Sequence, residues 1–230
     1  MMAVRAVVFD AFGTLFDVYS IGQMAEAFYP GLGSSIASVW RDKQIEYTRI
    51  VTMSDPHRPG GSRHYLPFDE ITRRSLQHTL ARLGIKDSAA AEQALMNQYL
   101  MLPPFPEAAD VVRSLRARGV QTAILSNGNS AMLTPLLAHS NMTDLFDPVI
   151  SIDAIGLYKT APESYRLVDS QMGHPAREIL FVSSNAWDAL AATWHGFTTL
   201  WVNRQGMPFE TLGEPPTYSG ASLTRVLEVI

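Results

Sequence analysis

The chain has 230 residues, of which 47% are hydrophobic and 17% charged, and this length and composition predict one substantial core with room for a second, smaller unit. The absence of cysteine excludes disulfides, thiolate metal sites and cysteine nucleophiles. The net charge of -4 argues against nucleic-acid and anionic-membrane partners, because both need a clustered positive surface.

The chain also lacks the patterns that mark export or membrane insertion. The apolar stretch up to Phe9 is too short, and too soon followed by Asp10, for a secretory signal. No apolar run approaches the roughly 20 residues that a membrane-spanning helix requires. We therefore expect a cytoplasmic protein.

Short apolar runs rich in β-branched residues predict buried strands. These runs are Ala3–Phe9, Thr122–Leu125, Ile179–Val182 and Thr198–Val202. Helical patterns separate the runs, at Glu107–Arg118, Ser130–His139, Pro162–Met172 and Trp187–Trp194. The alternation predicts an α/β fold with a doubly wound, mostly parallel sheet of the Rossmann-like kind.

The stretch between the first two predicted strands is too long for a direct connection. Its patterns are helical, at Ser38–Val51, Phe68–Leu83 and Ala89–Leu100. The return segment Leu102–Pro106 (LPPFP) is typical of a stiff, extended linker. We therefore predict a helical cap domain at residues 17–101, inserted into an α/β core domain of residues 1–16 and 102–230.

Polar side chains follow the predicted strands at the points where they end. They are Asp10 after the first strand, Ser126 and Asn127 after the second, Ser183–Asn185 after the third with Asp188 one helical turn on, and Lys159 just before a helix start. Ligands of open α/β sheets bind beyond the carboxyl ends of the strands. The pattern therefore predicts a site that combines two carboxylates, a lysine, hydroxyls and amides.

Each of these residues also has a purely structural interpretation. Asp10 and Asp188 are residue types that end turns and begin helices. Ser126 and Asn127 are common turn formers, and Lys159 taken alone is more often a surface lysine. Only the combined pattern favours a functional site.

The order of these residues resembles the four motifs of the haloacid dehalogenase superfamily. Asp10 and Thr14 in DAFGTLFD match its nucleophile motif, and Ser126 in ILSNGN matches its second. Lys159 in GLYKTAPESY matches the third, and Ser183–Asp188 (SSNAWD) matches the fourth. The resemblance spans almost the whole chain and implies that Asp10 is a nucleophile.

Two departures separate the chain from the phosphatases of that superfamily. Phosphatases carry a second aspartate, which protonates the alkoxide leaving group, at the position held here by Phe12. Halide leaves as a stable anion and needs no proton. The fourth motif offers Ser183, Ser184 and Asn185 where phosphatases have acidic Mg²⁺ ligands, so we expect no metal and no other cofactor.

Within the superfamily the chain most resembles the L-2-haloacid dehalogenases. The shared segments are DAFGTLFDV, WRDKQIEYT at Trp40–Thr48, VSSNAWD and WVNR. The resemblance implies hydrolysis of short-chain L-2-haloalkanoic acids to D-2-hydroxy acids, with inversion, through an ester on Asp10. Azetidine-ring hydrolases belong to the same branch and are not excluded by these motifs.

The resemblance also implies a role for each site residue. Lys159 would keep Asp10 ionised, Thr14 and Ser183 would orient its oxygens, and Asp188 would activate water that Asn185 helps to place. The halide and the rest of the substrate are expected to contact Arg41, Ser126, Asn127, Trp187, Phe12, Ala11, Ile45 and Tyr165. Without the resemblance, Arg41 has the pattern of a surface arginine and Tyr165 that of a buried structural tyrosine.

Several further expectations and alternatives accompany this prediction. Asp42 stands where the branch is expected to have Gln, and we expect it to face solvent. The expected partners are a 2-haloacid, a halide ion and a second copy of the chain in a homodimer, with no nucleic acid and no membrane. The competing hypotheses are a Mg²⁺-dependent phosphatase of the same superfamily and a non-catalytic binding protein on this fold.

Overall fold

The computed structural model describes residues 4–86 and 88–230, and within them lies one sheet of six parallel strands. The strands are β1 (Ala6–Phe9), β2 (Gln121–Ser126), β3 (Val149–Ser151), β4 (Ile179–Ser183), β5 (Thr198–Val202) and β6 (Tyr218–Gly220). Their spatial order is β3-β2-β1-β4-β5-β6, which is a doubly wound order. The predicted parallel α/β sheet is confirmed.

Nine α-helices occur in the described part of the chain. They are α1 (Ile21–Phe28), α2 (Gly33–Met53), α3 (Phe68–Arg82), α4 (Ala89–Tyr99), α5 (Ala108–Ala117), α6 (Ser130–His139), α7 (Pro162–Met172), α8 (Ala186–His195) and α9 (Val226–Val229). No helix among these residues is long and apolar enough to cross a membrane.

Strand β1 is central, and this position creates the crevice beyond its end. It pairs with β2 on one side and β4 on the other, with Phe9 opposite Ile124 and Val182. All four of its side chains are fully buried, as expected for a strand covered on both faces. Because the strand order reverses between β1 and β4, ligands of such sheets bind at the carboxyl ends of these two strands.

Two helices have the bounds that the sequence predicts, whereas two strands were not predicted at all. Helix α7 begins at a proline, and Gly173 ends it in a left-handed conformation at φ 66°. Strands β3 and β6 have three residues each and are partly exposed, so no apolar run marks them. Strand β1 begins at Ala6, and Ala3 lies outside the described residues.

Helices α1–α4 lie between β1 and β2 in the chain, as the predicted insertion requires. The two segments that lead into and out of them run side by side. The N–H of Asp17 donates to the carbonyl of Pro103 at 3.0 Å, and the N–H of Phe105 donates to the carbonyl of Leu15 at 2.9 Å. The division into core and cap domains at these segments stays a prediction.

Candidate active site

The carboxylate of Asp10 lies directly after β1 and accepts three side-chain hydrogen bonds. Lys159 Nζ donates to its Oδ1 at 3.0 Å, while Thr14 Oγ1 and Asn185 Nδ2 each donate to its Oδ2 at 2.9 Å. Its main-chain N–H donates to the carbonyl of Val182, so both strands of the crevice fix it. The residue is 5% exposed and is held in one orientation.

Lys159 joins two carboxylates inside the protein. Its Nζ lies 3.0 Å from Asp10 Oδ1 and 3.0 Å from Asp188 Oδ2, and its side chain is fully buried. Its own backbone N–H donates to Asn127 Oδ1 at 3.0 Å, which fixes the loop that carries it. The sequence prediction that Asp10, Lys159 and Asp188 meet at the strand ends is thus matched by direct contacts.

Burial and charge act in opposite directions on this lysine and its second partner. Burial lowers the pKa of Lys159, but the charges of Asp10 and Asp188 outweigh it, so its pKa lies above the ordinary value and the ammonium is kept. Burial also raises the pKa of Asp188, against the lowering effect of Lys159, and the charge of Asp10 raises it further. The pKa of Asp188 therefore lies above the usual range of an aspartate.

Tyr165 holds the other oxygen of Asp188. Its hydroxyl donates to Asp188 Oδ1 at 2.7 Å, and its side chain is buried. Burial and the neighbouring charge of Asp188 raise the pKa of Tyr165 well above its ordinary value, so it stays a donor. Tyr165 was expected against the substrate, and its observed contact is with the second carboxylate instead.

The residues after β4 differ from prediction in which side chain orients Asp10. Asn185, expected to place water, donates directly to Asp10. Ser183, expected to orient Asp10, instead accepts the N–H of Asn185 at 3.1 Å, and no hydrogen bond joins it to Asp10 among the described residues. Thr14 has the predicted contact and also accepts the N–H of Ser184 at 2.8 Å. Ser183 is therefore connected to Asp10 through the turn that carries Asn185.

Arg41 reaches the strand ends from helix α2. Its Nη2 donates to the carbonyl of Phe12 and to Asn185 Oδ1, both at 3.2 Å. Its Nη1 donates to Gln44 Oε1 at 2.7 Å, and the same oxygen accepts the hydroxyl of Tyr99 at 3.1 Å. Arg41 is 8% exposed, so the surface-arginine interpretation is wrong.

Gln44 and Tyr99 were not singled out from the sequence as site residues. The Nε2 of Gln44 donates to Thr72 Oγ1 at 2.6 Å, so this one amide joins α2, α3 and α4 behind Arg41. The signal for Gln44 was its place in the WRDKQIEYT segment, three residues after Arg41 and hence on the same helix face.

Phe12 occupies an aromatic wall beside Asp10. Its ring lies 5.5 Å from that of Phe68 and 5.7 Å from that of Tyr99, centroid to centroid. A Cβ at Gly128 would lie 2.6 Å from the ring of Phe12, so this glycine is what lets the loop after β2 approach the ring. Aromatic groups thus stand where the phosphatases have a proton donor.

The remaining predicted contacts are buried around the same point. Ala11 is fully buried, and the hydroxyl of Ser126 accepts the N–H of Gly128 at 3.0 Å, which is the turn contact of its structural interpretation. Asn127 is 6% exposed. Their contacts with substrate stay predictions.

Two cavities adjoin this group of residues. A wide cleft of about 910 Å³ is lined by Arg41, Ile45, Asn185 and Trp187 among others, and a smaller cavity of about 300 Å³ reaches Lys159. Asp10 lines neither, so its carboxylate lies behind these walls. Asp42 is exposed, as expected, but it also lines the wide cleft.

Among the described residues, no group of three or more His, Cys, Asp or Glu side chains is placed to hold a metal ion. The two carboxylates at the strand ends are instead joined by an ammonium. A hard divalent cation prefers several oxygen ligands, and Lys159 stands between the candidates. The expected absence of a metal stays a prediction.

Comparison with known proteins relates the chain to one family. A family model of haloacid dehalogenase-like hydrolases matches residues 4–196. An (S)-2-haloacid dehalogenase from Pseudomonas sp. (strain YL) is 37% identical over 226 residues, covering 98% of this chain and 94% of that enzyme. The match thus extends over almost the full length of both proteins.

Solved structures with a similar fold include proteins of the same class. The crystal structure of an L-2-haloacid dehalogenase superposes with a TM-score of 0.95 at 48% identity, covering 99% of each chain. The L-2-haloacid dehalogenase from Xanthobacter autotrophicus, solved with chloropropionic acid covalently bound, superposes with a TM-score of 0.89 at 35% identity, covering 98% of each chain.

Proposed function

Because the chain belongs to the haloacid dehalogenase-like hydrolase family, we propose that it hydrolyses short-chain L-2-haloalkanoic acids to D-2-hydroxy acids with inversion. The observation that carries this proposal is the Asp10 carboxylate, held by Lys159, Thr14 and Asn185 beside the aromatic ring of Phe12. The enzyme class predicted from the sequence, (S)-2-haloacid dehalogenase, is also the class of relatives that match nearly the whole chain.

In the first step, one oxygen of Asp10 attacks the α-carbon from the face opposite the halogen. A new C–O bond forms, the carbon–halogen bond breaks, and both of its electrons leave with the halide. Lys159 supports this step because its positive charge, 3.0 Å from Asp10 Oδ1, offsets the repulsion between that carboxylate and an anionic substrate. The hydrogen bonds of Thr14 and Asn185 to the same oxygen leave Asp10 little freedom to rotate.

The leaving halide requires hydrogen-bond donors and polarisable contacts. Arg41 and Trp187 both line the wide cleft, where a guanidinium and an aromatic ring can face the halide. Asn127 adds an amide from the loop after β2. Ser126 and the backbone N–H of Ala11 are the groups that we assign to the substrate carboxylate, with Phe12 and Ile45 beside its alkyl chain.

In the second step, water attacks the carbonyl carbon of the Asp10 ester and Asp188 accepts its proton. The bond between that carbon and the ester oxygen then breaks, and Asp188 returns the proton to the departing oxygen of the 2-hydroxy acid. One proton goes to solvent as the Asp10 carboxylate is restored. The electrostatics of the site support this assignment. The negative charge of Asp10 raises the pKa of Asp188. Esterification removes that charge, so the pKa of Asp188 falls and Asp188 becomes easier to ionise at the moment when a base is needed. Lys159 is then left paired with Asp188 alone. The proposed reaction uses no metal and no cofactor.

Three further expectations, on domains, oligomeric state and location, form part of this proposal. We assign residues 17–101 to a cap domain on the core, two copies of the chain to a homodimer formed through cap helices, and the protein to the cytoplasm. The exposed apolar side chains of Ile50 and Met53, 51% and 70% accessible on α2, are compatible with a helix that meets a partner.

The test is halide release from L-2-chloropropionate. We expect release that is unaffected by EDTA and that falls on the order of 10⁴-fold in Asp10→Asn. Asp110→Asn makes the same chemical change on the exposed face of α5 and is the matched control. Release that requires added Mg²⁺, or no release from any short L-2-haloacid, would overturn the proposal.

A second experiment tests the ester. Single-turnover hydrolysis in ¹⁸O-labelled water should place label in the peptide that contains Asp10, because water attacks the carbonyl carbon of that side chain. Label found only in the product hydroxyl group would show direct attack of water on the substrate. The same experiment with Asp188→Asn should leave protein with added substrate mass, because the ester forms but is not cleaved.

A further inference from the structure

One cation stands between the two cavities that adjoin Asp10. The wide cleft reaches Asn185 and Trp187, and the smaller cavity reaches Lys159. Among the residues that the structure describes, Arg49 is the one that lines both. A molecule held in either cavity is therefore in reach of this guanidinium.

The charge of Arg49 is open to solvent. The residue is exposed on α2, and its guanidinium carbon lies 5.5 Å from the ring centroid of Trp187. This distance is within the range of a cation–π contact, which holds the arginine at the cleft without neutralising it. Within residues 4–86 and 88–230, no ion pair joins Arg49 to a carboxylate.

The other cations at the two cavities are already engaged. Arg41 is 8% exposed, donates to three protein acceptors and is already assigned to the leaving halide. Arg204 is paired with Glu107 at 2.6 Å, and Lys159 is fully buried between two carboxylates. Arg49 is thus the cation of this set best placed to act on a solute before it enters.

The wide cleft has a rim that would otherwise repel an anion. The carboxylates that line it are Asp17, Asp42, Glu46 and Glu210, of which Glu46 is paired with Lys43 at 2.7 Å. Arg49 lies three residues after Glu46 on α2, and therefore on the same side of that helix. A cation that lines both cavities therefore changes the local potential that an entering anion meets.

We propose that Arg49 is a specificity-determining residue that admits carboxylate-bearing substrates to the site, using its charge at the junction of the two cavities. This inference rests on the proposed function, because it takes the substrate to be an anionic 2-haloacid. Arg49 acts on encounter and entry rather than on the reacting atoms. Its removal should therefore change kcat/KM through KM and leave kcat in place.

The experiment measures kcat and KM for L-2-chloropropionate at low and high ionic strength, in the wild type, Arg49→Gln and Arg49→Lys. We expect Arg49→Gln to lose about tenfold in kcat/KM at low ionic strength, with the loss shrinking at high salt because salt screens exposed charges. Arg49→Lys should retain most of the wild-type value. Arg113→Gln, which removes the same charge from the exposed face of α5, is the matched control.

The outcomes separate the inference from the proposed function. If the wild type releases no halide, the proposed function fails. If the wild type is active and Arg49→Gln matches it at low ionic strength, the inference alone fails. A loss in kcat/KM that persists at high salt and is not restored by Arg49→Lys overturns the inference as well, because lost packing against Trp187 would then be the cause.

Discussion

At the scale of single residues, the site is governed by one ammonium shared between two carboxylates. Lys159 lies 3.0 Å from both Asp10 and Asp188, and all three side chains are buried. Besides burial, the charge of Lys159 lowers the pKa of Asp188 and the charge of Asp10 raises it. A single hydrogen bond to this group is therefore expected to move a pH profile.

Tyr165→Phe should shift the acid limb of ester hydrolysis to higher pH. Asp188 must be ionised to accept a proton, so the rate falls as pH drops through its pKa, which burial already raises above the usual range. The hydrogen bond from Tyr165 lowers that pKa, and its loss removes the lowering. The measurement is the pH dependence of single-turnover ester hydrolysis, with Tyr218→Phe as control.

If the acid limb of Tyr165→Phe stays at the wild-type pH or shifts to lower pH, Asp188 is not the base whose ionisation limits the step. A uniform loss of rate at every pH would indicate a purely structural role for Tyr165. Only a shift along the pH axis supports the assignment.

That Asp10, Lys159 and Asp188 lie close together could be predicted from the sequence, whereas the hydrogen bonds around them could not. Parallel strands end at one edge of a sheet, so residues that follow these strands must come together. Which side chain at the end of β4 turns toward Asp10 depends on the local backbone, and in the structure Asn185, not Ser183, donates to Asp10. The sequence pattern carries the position of a side chain but not its rotamer.

At the scale of secondary structure elements, α2 is fixed to its neighbours by buried polar contacts. Trp40 Nε1 donates to the carbonyl of Thr72 at 2.8 Å, and Gln44 joins Thr72 and Tyr99. Both residues stand on the face of α2 that carries Arg41. The position of the proposed halide-binding arginine thus depends on how three helices meet.

Gln44→Ala should destabilise the protein by roughly 3 kcal/mol and raise KM, because it leaves buried partners of the amide without hydrogen bonds. Arg41 would lose its 2.7 Å contact and be held less firmly. Chemical denaturation and steady-state kinetics measure the two effects. Gln77→Ala, an exposed glutamine on α3 bonded to Glu92, is the matched control with little expected change.

A full loss of stability in Gln44→Ala with an unchanged KM would contradict the link to Arg41. The reverse, an altered KM without destabilisation, would contradict the account of buried unsatisfied partners. Both effects together are expected.

The elements that could be predicted from the sequence are those with strong local signals. Helix α7 has a proline at its start and a glycine at its end, and β1 is a continuous apolar run. Strand β6 has neither, since Tyr218–Gly220 is short and partly exposed and forms only by pairing with β5. Edge strands of this kind are stabilised by pairing with a neighbouring strand, and a local sequence pattern does not show that pairing.

At the scale of the whole molecule, residues 61–66 are hydrogen-bonded to residues 153–158. This contact is separate from the one between the two segments that lead into and out of helices α1–α4. The N–H of Ser62 donates to the carbonyl of Gly156 at 3.2 Å, and Tyr158 Oη donates to the carbonyl of Leu66 at 2.6 Å. A Cβ at Gly61 would lie 2.3 Å from the carbonyl of Ile155, so the two backbones are in close contact. These contacts are a second connection between the segments that we assign to the cap and to the core.

Tyr65→Phe should loosen this connection without unfolding the protein. The hydroxyl of Tyr65 donates to Asp153 Oδ1 at 2.5 Å, and losing one such bond is worth about 1 kcal/mol, or roughly a fivefold change in a local opening equilibrium. Amide hydrogen exchange at residues 62–66 is expected to speed up by that factor, while the strands of the sheet stay unchanged. Tyr47→Phe, which removes a hydroxyl from α2, should leave exchange at residues 62–66 as it is. Faster exchange throughout the sheet would show instead that Tyr65 supports global stability, because opening at this contact would then unfold the whole molecule.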